Sequence, residues 1–214
     1  MKLRPALWLI VAGSIFSVPA VLAQTTFSNA TPITINDAGA ASPYPSDITV
    51  SGLGSVSKVT LTLSDLSHSF PDDIDMLLVG PAGQRAIVFS DVGGGPDVTA
   101  AVYDITLDDA APAPLLDTGP LVSGTFQPTN SGAGDPFPAP APAGASGSAL
   151  SVFNGTNPNG TWSLFVVDDT AQDEGNISGG WSLSITAAPI PEPSSWILLG
   201  LGMAGMTFLR RLRR

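Results

Sequence analysis

The sequence predicts an all-β sandwich, because strand-like alternation and turn-forming residues dominate its middle and helical periodicity is missing there. Residues 58–63 and 181–186 both alternate apolar with polar side chains, and their apolar positions are β-branched, aromatic or leucine. A period of two is typical of a strand with one buried face. Nothing between residues 24 and 188 sustains a period of 3.6 over three turns. The expected architecture is therefore two packed sheets.

Along the chain, the predicted strands are separated by turn-forming segments. Residues 74–79 and 162–167 are apolar on both faces, which favours positions at the centre of a sheet. Residues 80–83, 91–95 and 157–160 are rich in Gly, Pro, Asp and Asn, which predicts turns. The remaining predicted strands cover residues 31–35, 47–50, 86–90, 99–106, 121–126 and 149–153.

Residues 110–147 interrupt this pattern with many prolines. The run at 137–143, Phe-Pro-Ala-Pro-Ala-Pro-Ala, favours polyproline II, which has no internal hydrogen bonds. A flexible linker is the ordinary interpretation of such a run, but predicted strands follow it and must share a core with those before it. We therefore predict one domain over residues 24–188, in which 110–147 is an excursion over the surface.

The predicted domain is strongly acidic. Between residues 24 and 188 there are 17 acidic residues and two basic ones, a net charge of −15. Such a surface repels nucleic acid and anionic lipid, so we expect no nucleic-acid partner. Nearly all the acidic residues are Asp, which suits turns and the ligation of hard cations. The chain has no cysteine, which excludes disulfides and thiol chemistry.

The N-terminus has the parts of a secretory signal peptide. Lys2 and Arg4 precede an apolar stretch at 6–18, and small residues follow it up to Ala23. We predict a signal peptide over residues 1–23 with cleavage after Ala23. A retained N-terminal anchor is the alternative.

The C-terminus combines three features. Pro191-Glu192-Pro193 comes first, and an apolar run of 16 residues at 194–209 follows. An apolar run closed by arginines predicts a membrane helix whose basic end stays in the cytoplasm, although this one is shorter than the usual span of about 17–25 residues. The closing arginines are Arg210, Arg211, Arg213 and Arg214.

In this order and at this place, the three features resemble the PEP-CTERM sorting signals of Gram-negative bacteria over residues 191–214, and we assign the segment 189–214 to such a signal. The resemblance implies transient anchoring in the inner membrane and processing near 191–193 by an exosortase, a membrane protease-transpeptidase. The domain would then be released or attached at the cell surface or in the extracellular matrix, with exopolysaccharide or a surface glycan as a partner. An ordinary tail anchor is the alternative.

Three segments in the middle of the chain carry a second resemblance. Residues 66–83 contain a His, an aromatic residue, several Asp and an apolar strand that ends in Gly-Pro-Ala-Gly. Residues 153–164 contain Gly-Thr-Trp, and residues 166–183 contain an Asp-rich turn before a closing Trp strand. Together they resemble the P domain, or Homo B domain, of the proprotein convertases over about residues 30–187.

The P-domain resemblance implies a jelly-roll-like β-sandwich, which in the convertases accompanies and stabilises a subtilisin-like catalytic domain. The sequence shows no counterpart of that catalytic domain, so we expect a non-catalytic protein with a structural or adhesive role. Two alternatives stay open: an accessory domain for a separate subtilisin-like serine endopeptidase, and a carbohydrate- or protein-binding module.

Aspartates gather at the ends of the two predicted central strands, which makes calcium the candidate cofactor. Calcium takes 6–8 oxygen ligands, and packed carboxylates repel one another unless a cation lies among them. The best candidate ligands are Asp73, Asp75, Asp168 and Asp169, with Asp91 as a further candidate. The alternative is a set of solvated turns in which Asp residues form caps.

The single histidine, His68, lies beside Ser67, Ser69 and Asp72. A catalytic triad needs these residue types to converge in a pocket with an oxyanion hole, and neighbours in sequence do not provide that. We expect His68 to hydrogen-bond locally and predict no catalytic residue, with a small hydrolase as the alternative.

Two tryptophans, Trp162 and Trp181, could present flat surfaces for sugar stacking. The residues that alternate with them along the same face of each predicted strand are mostly aliphatic. This pattern favours packing in the core.

Overall fold

The structure is a computed structural model, and the regular secondary structure of its described residues is almost entirely β-strand, arranged in two sheets. Residues 1–21 of the predicted signal peptide and the whole tail 189–214 lie outside the described residues. Within the described part of the chain, no helix is long and apolar enough to cross a membrane. The described residues are 22–96, 101–132, 134–144 and 147–188.

The first sheet has seven strands and is organised around its longest one. They are β1 (Ala23–Asn29), β2 (Ile33–Ile35), β5 (Val56–His68), β8 (Tyr103–Leu107), β9 (Gly124–Phe126), β12 (Gly175–Ile177) and β13 (Trp181–Ala187). Along one edge of β5, residues 56–63 pair with β13 and residues 66–68 pair with β12. On the far side, β13 pairs with β1 and β12 pairs with β2. Along its other edge β5 pairs with β8, and β9 adds to β8 in parallel.

The second sheet has six strands in the order β10-β7-β6-β11, with β3 and β4 both on the far edge of β11. They are β3 (Gly39–Ala40), β4 (Ser46–Val50), β6 (Ile74–Val79), β7 (Arg85–Ser90), β10 (Thr129–Asn130) and β11 (Gly160–Asp168). β10 lies parallel to β7, and the other pairs are antiparallel. The predicted central position of the strands at 74–79 and 162–167 is confirmed, because β6 and β11 are paired on both edges.

The main core lies between the two sheets. Leu61, Leu183 and Leu164 are fully buried there, at the inward positions of alternating strands. Trp162 and Trp181 are also buried. The indole N–H of Trp162 donates to the Pro158 carbonyl at 2.8 Å, and that of Trp181 donates to the Ser46 hydroxyl at 2.9 Å. The predicted core role of both tryptophans is therefore confirmed.

A second, smaller cluster covers the outer face of the second sheet. Leu77, Ile87 and Phe165 point away from the main core and are nevertheless almost fully buried. Burial on both faces explains why residues 76–79 of β6 and 164–167 of β11 are apolar at consecutive positions. The side chains packed on this cluster are Tyr44, Val79, Phe137 and Ala141, two of which belong to the proline-rich run.

One predicted strand is wrong. Residues 149–153 contain a 3₁₀ helix, Leu150–Phe153, in place of a strand. The carboxylate of Asp109 accepts hydrogen bonds from the Leu150 and Ser151 amides at 2.8 and 2.7 Å, so it satisfies donors that a ladder would have used. Leu150 and Phe153 are both buried while Ser151 and Val152 are exposed, a spacing of three that fits the 3₁₀ helix; a strand would place Leu150 and Phe153 on opposite faces.

The two ends of the sandwich differ in charge. At one end Ala23 is the register partner of Ala187, which is also paired with Val56 at the start of β5. At the other end lie the last residue of β5, the first residues of β6 and the last of β11. We call it the acidic end, because it carries Asp73, Asp75, Asp91, Asp168 and Asp169.

Candidate metal centre

Three consecutive strands of the second sheet bring three carboxylates together at the acidic end. One carboxylate oxygen from each of Asp75, Asp91 and Asp135 lies within 4.8 Å of the others. Asp75 is in β6 opposite Ser90, the last residue of β7, and Asp91 follows directly. The parallel pairing of β10 with β7 puts Asn130 beside Ser90, and Asp135 follows five residues later. We call these three residues the Asp trio.

Asp75 is the buried member of the Asp trio, with 1% of its surface exposed. Its Oδ2 atom has no hydrogen-bond partner among the described residues. Burial raises the pKa of Asp75 to about 7; the Ser90 hydroxyl lowers it, and the charges of Asp135, Asp91 and Asp169 raise it further. A buried carboxylate among other carboxylates is costly to ionise unless a cation compensates it.

Asp91 and Asp135 are half-buried and are held by neighbouring polar groups. The Ser90 hydroxyl donates to Asp91 Oδ2 at 3.2 Å, and the Asn130 amide donates to Asp135 Oδ2 at 2.9 Å. Burial raises the pKa of Asp91, and the Asp135 charge adds to that shift although the Ser90 hydrogen bond opposes it. Both carboxylates keep a second oxygen that these two bonds do not use.

The backbone geometry at Asp91 and Gly132 brings the loop after β10 against the Asp91 carboxylate. Asp91 has φ of 50° and Gly132 has φ of 72°, so both adopt the left-handed conformation. A Cβ atom on Gly132 would lie 2.8 Å from Asp91 Oδ2. The glycine therefore lets the main chain after β10 approach Asp91 more closely than any larger residue would allow.

The structure does not bring the four calcium ligands predicted from the sequence to one face of the sheet. Asp75 is the register partner of Val167, whereas Asp168 is the partner of Ile74. Because directly paired residues point to the same face of a sheet, Asp75 lies on the outer face and Asp168 on the core face. Asp75 is thus the one member of the predicted four in the Asp trio, where the further candidate Asp91 joins it.

Asp168 is instead committed to His68. The Nε2 atom of His68 lies 3.1 Å from Asp168 Oδ2, and both side chains are fully buried. The other carboxylate oxygen accepts from the Thr170 amide at 3.0 Å. Burial raises the pKa of Asp168, while the Thr170 amide and His68 lower it. The pair joins β5 of one sheet to β11 of the other.

Asp73 and Asp169 belong to neither the Asp trio nor the His68–Asp168 pair. The Asp169 amide donates to the Asp73 carbonyl at 3.0 Å, which ties the end of β11 to the turn before β6. Burial raises the pKa of Asp73 to about 6, and the charges of Asp168, Asp173, Asp169 and Asp72 add to the shift. Asp169 is exposed, and its Oδ1 accepts from the Thr170 hydroxyl at 3.1 Å.

The surroundings of His68 do not form a nucleophile–base pair. Its Nδ1 atom lies 2.8 Å from the Phe70 carbonyl oxygen, and its Nε2 atom faces Asp168. The hydroxyl of Ser69 donates to Asp173 at 2.7 Å. Both ring nitrogens therefore contact groups other than a serine hydroxyl, unlike the arrangement that activates a serine.

Sequence reasoning missed Asp135. It lies in the proline-rich stretch, where no alternation indicates a neighbouring strand, and β10 is only two residues long. The signal that could have found it is weak: Asn130 and Asp135 are polar positions in a stretch that is mostly Pro, Ala and Gly.

Comparison with known proteins identifies the tail. Residues 189–214 match the family model described as the PEP-CTERM protein-sorting motif, which implies export and processing that depend on an exosortase. No curated protein matches the chain.

Two solved structures are similar to the chain at low identity. A serine protease of Aeromonas sobria in complex with its chaperone has a TM-score of 0.41 and 17% identity, over 81% of this chain and 28% of that one. The serine protease of Aeromonas sobria by itself has a TM-score of 0.37 and 15% identity, over 83% of this chain and 29% of that one. This chain thus spans less than a third of the length of either match. Of the three similarities, the C-terminal sorting motif is the one that bears on function.

Proposed function

We propose that the chain is an exported, non-catalytic protein of the cell surface or extracellular matrix of a Gram-negative bacterium. In this proposal an acidic, P-domain-like sandwich with jelly-roll-like topology has a structural or adhesive role. The observation that carries the proposal is the match of residues 189–214 to the PEP-CTERM protein-sorting motif.

The proposed route uses both ends of the chain. The predicted signal peptide, residues 1–23, starts export, and the apolar run at 194–209 then holds the chain in the inner membrane. The terminal arginines stay on the cytoplasmic side, and an exosortase-type enzyme processes the chain near 191–193. The prolines there keep the processing site extended and away from the folded domain.

Several contacts support a non-catalytic role for the sandwich. The two nitrogens of His68 contact Phe70 and Asp168, so the only histidine has no free nitrogen to act as a general base. Trp162 and Trp181 are buried and offer no face for stacking on a sugar. The acidic surface suits a protein that stays dispersed in a hydrated matrix.

The test compares the two glutamates of the chain, Glu174 and Glu192, in the native host. Mass spectrometry of the mature wild-type protein should show an N-terminus at Gln24 and a C-terminus near 191–193, with any attached glycan. Glu192→Gln should leave the tail uncut and the protein in the inner membrane. Glu174→Gln, which removes the same charge from the exposed surface of the domain, should be processed like the wild type.

Three results would contradict the proposal. An intact wild-type chain with residues 194–214 still attached would point to an ordinary tail anchor. Equal processing of both variants would remove the role of the Pro-Glu-Pro motif. Stoichiometric recovery of the mature domain with a subtilisin-like protease would favour the accessory role.

A further inference from the structure

We propose that the Asp trio binds one calcium ion, which clamps the proline-rich segment onto the outer face of the second sheet. The ion would join β6 through Asp75, the end of β7 through Asp91, and the segment after β10 through Asp135. The inference concerns the folded domain alone and does not depend on the proposed export route.

The first argument is the buried oxygen of Asp75. Exposed acidic clusters are common without a metal, because water solvates each carboxylate. Asp75 has 1% exposure, and its Oδ2 atom has no hydrogen-bond partner among the described residues. This oxygen belongs to a carboxylate that also lies within 4.8 Å of two others, so both desolvation and repulsion oppose its charge. A cation between the three would relieve both.

Neither of the two basic residues in the described part of the chain supplies this cation. Lys58 is in the other sheet, where its ammonium group contacts Asp108 at 2.7 Å. Arg85 begins β7, opposite Val79, so the length of the strand separates it from Ser90 and Asp91. The charges that act on Asp75 are those of Asp135, Asp91 and Asp169, all of which raise its pKa.

The second argument is the chemistry of the donors. All three side chains of the Asp trio offer oxygen, and the Ser90 hydroxyl, which hydrogen-bonds to Asp91, adds a fourth oxygen nearby. Oxygen ligands without imidazole or thiolate select hard cations. Calcium tolerates the irregular, flexible coordination that loop ligands give, whereas magnesium demands a near-ideal octahedron. The remaining positions would be filled by water and main-chain oxygens.

The third argument is the way the proline-rich segment is held. Phe137 and Ala141 pack on Leu77, Ile87 and Phe165, but a cavity of about 520 Å³ remains between this segment and the sheet. Asn130 and Asp135 line that cavity, so it reaches the Asp trio. A bound ion would fix the segment where apolar packing is incomplete.

The experiment uses the full-length chain in detergent, stripped of divalent ions and titrated with calcium chloride in a calorimeter. We expect one ion per chain with a dissociation constant of about 10⁻⁴–10⁻³ M, the range of extracellular sites. At about 10 mM calcium, Tm should rise by about 3–10 °C over its value in EDTA. Amide exchange of residues 134–144 should slow in calcium.

Variants separate the site from the general negative charge. Asp75→Asn and Asp135→Asn should each weaken calcium binding by at least about tenfold. Asp75→Asn removes a buried charge and keeps the side-chain shape, so it should fold in EDTA at least as well as the wild type. The control is Asp47→Asn on β4, at the far edge of the same sheet, where Asn can still accept the 2.6 Å hydrogen bond from Ser163. It should bind calcium like the wild type.

Several results would overturn the inference. The first is no binding heat and no shift of Tm up to about 10 mM calcium. The second is equal weakening by Asp47→Asn and Asp75→Asn, which would indicate a diffuse charge effect. The third is a larger shift of Tm in magnesium than in calcium. Unchanged amide exchange in 134–144 on calcium binding would overturn the clamp.

Discussion

At the scale of single residues, the contact between His68 and Asp168 joins the two sheets at the acidic end. Both side chains are fully buried, and Nε2 lies 3.1 Å from Oδ2. Removing one partner of such a pair leaves a polar or charged group buried without its complement, which costs more than the pair itself contributes.

We predict that His68→Ala lowers the free energy of unfolding by about 3–5 kcal/mol, because it strands the Asp168 carboxylate in the core. Urea denaturation followed by tryptophan fluorescence measures this. Ser67→Ala, the neighbouring position on β5, is the control and should cost less than about 1 kcal/mol. A loss of similar size in both variants would show that the pair is not the source.

The candidate site could be predicted from the sequence only in part, and the reason lies at this scale. The density of aspartates at the strand ends indicated the correct end of the sandwich and two members of the Asp trio, Asp75 and Asp91. It could not separate Asp75 from Asp168, because the face on which a residue lies depends on the register between β6 and β11. The position of Asp135 depends on the parallel pairing of β10 with β7, to which β10 contributes two residues.

At the scale of elements, β12 shows how a short strand is fitted between two others. It has three residues, and it pairs with the end of β5 on one side and with β2 on the other. A Cβ atom on Gly175 would overlap the Ser67 carbonyl oxygen and would lie 2.9 Å from His68 Cα. These are backbone atoms of the neighbouring strand and cannot move aside without breaking the pairing.

Gly175→Ala is therefore expected to destabilise the protein by about 1–3 kcal/mol, the usual cost of overpacking. Gly39→Ala is the matched control, since Gly39 is also in a strand and has no atom within 4 Å of its added Cβ. Thermal unfolding of both variants beside the wild type measures the difference. Equal midpoints for the two variants would contradict the predicted clash.

The success of strand prediction followed the length of the alternating pattern. β5 and β13 are long and alternate clearly, and β11 has an unbroken apolar run at 164–167, so the sequence predicts all three strands, each somewhat shorter than it is in the structure. β3, β10 and β12 have two or three residues, too few to show a period, and their positions depend on partners distant in sequence. The 3₁₀ helix at Leu150–Phe153 was missed because Asp109, which binds its first amides, lies in another part of the chain.

At the scale of the whole molecule, the concentration of negative charge at the acidic end makes stability depend on pH. Burial raises the pKa of Asp73 to about 6 and of Asp75 to about 7, from an ordinary value of 3.8. Between pH 3.8 and about pH 7, the folded chain therefore binds more protons at these two carboxyls than the unfolded chain does. The stability that protonation of these two carboxyls contributes is fully present below about pH 4. It is lost as the pH rises through their folded-state pKa values of about 6 and about 7.

In EDTA, the thermal midpoint should thus fall as the pH is raised from about 4.5 to about 8. Differential scanning calorimetry across this interval measures the change. In Asp75→Asn the fall should be smaller, because one of the two groups no longer titrates. A midpoint that rises with pH over this interval would contradict the prediction.

The pairing of Ala23 with Ala187 has a consequence for how the domain stands on a membrane. Both chain ends leave the sandwich at one corner, next to the start of β5, and β5 is 13 residues long. At about 3.3 Å per residue, the aspartates are therefore held roughly 40 Å beyond the point of attachment. For as long as the tail holds the chain at a membrane, this length separates the acidic end of the domain from the point where the tail begins.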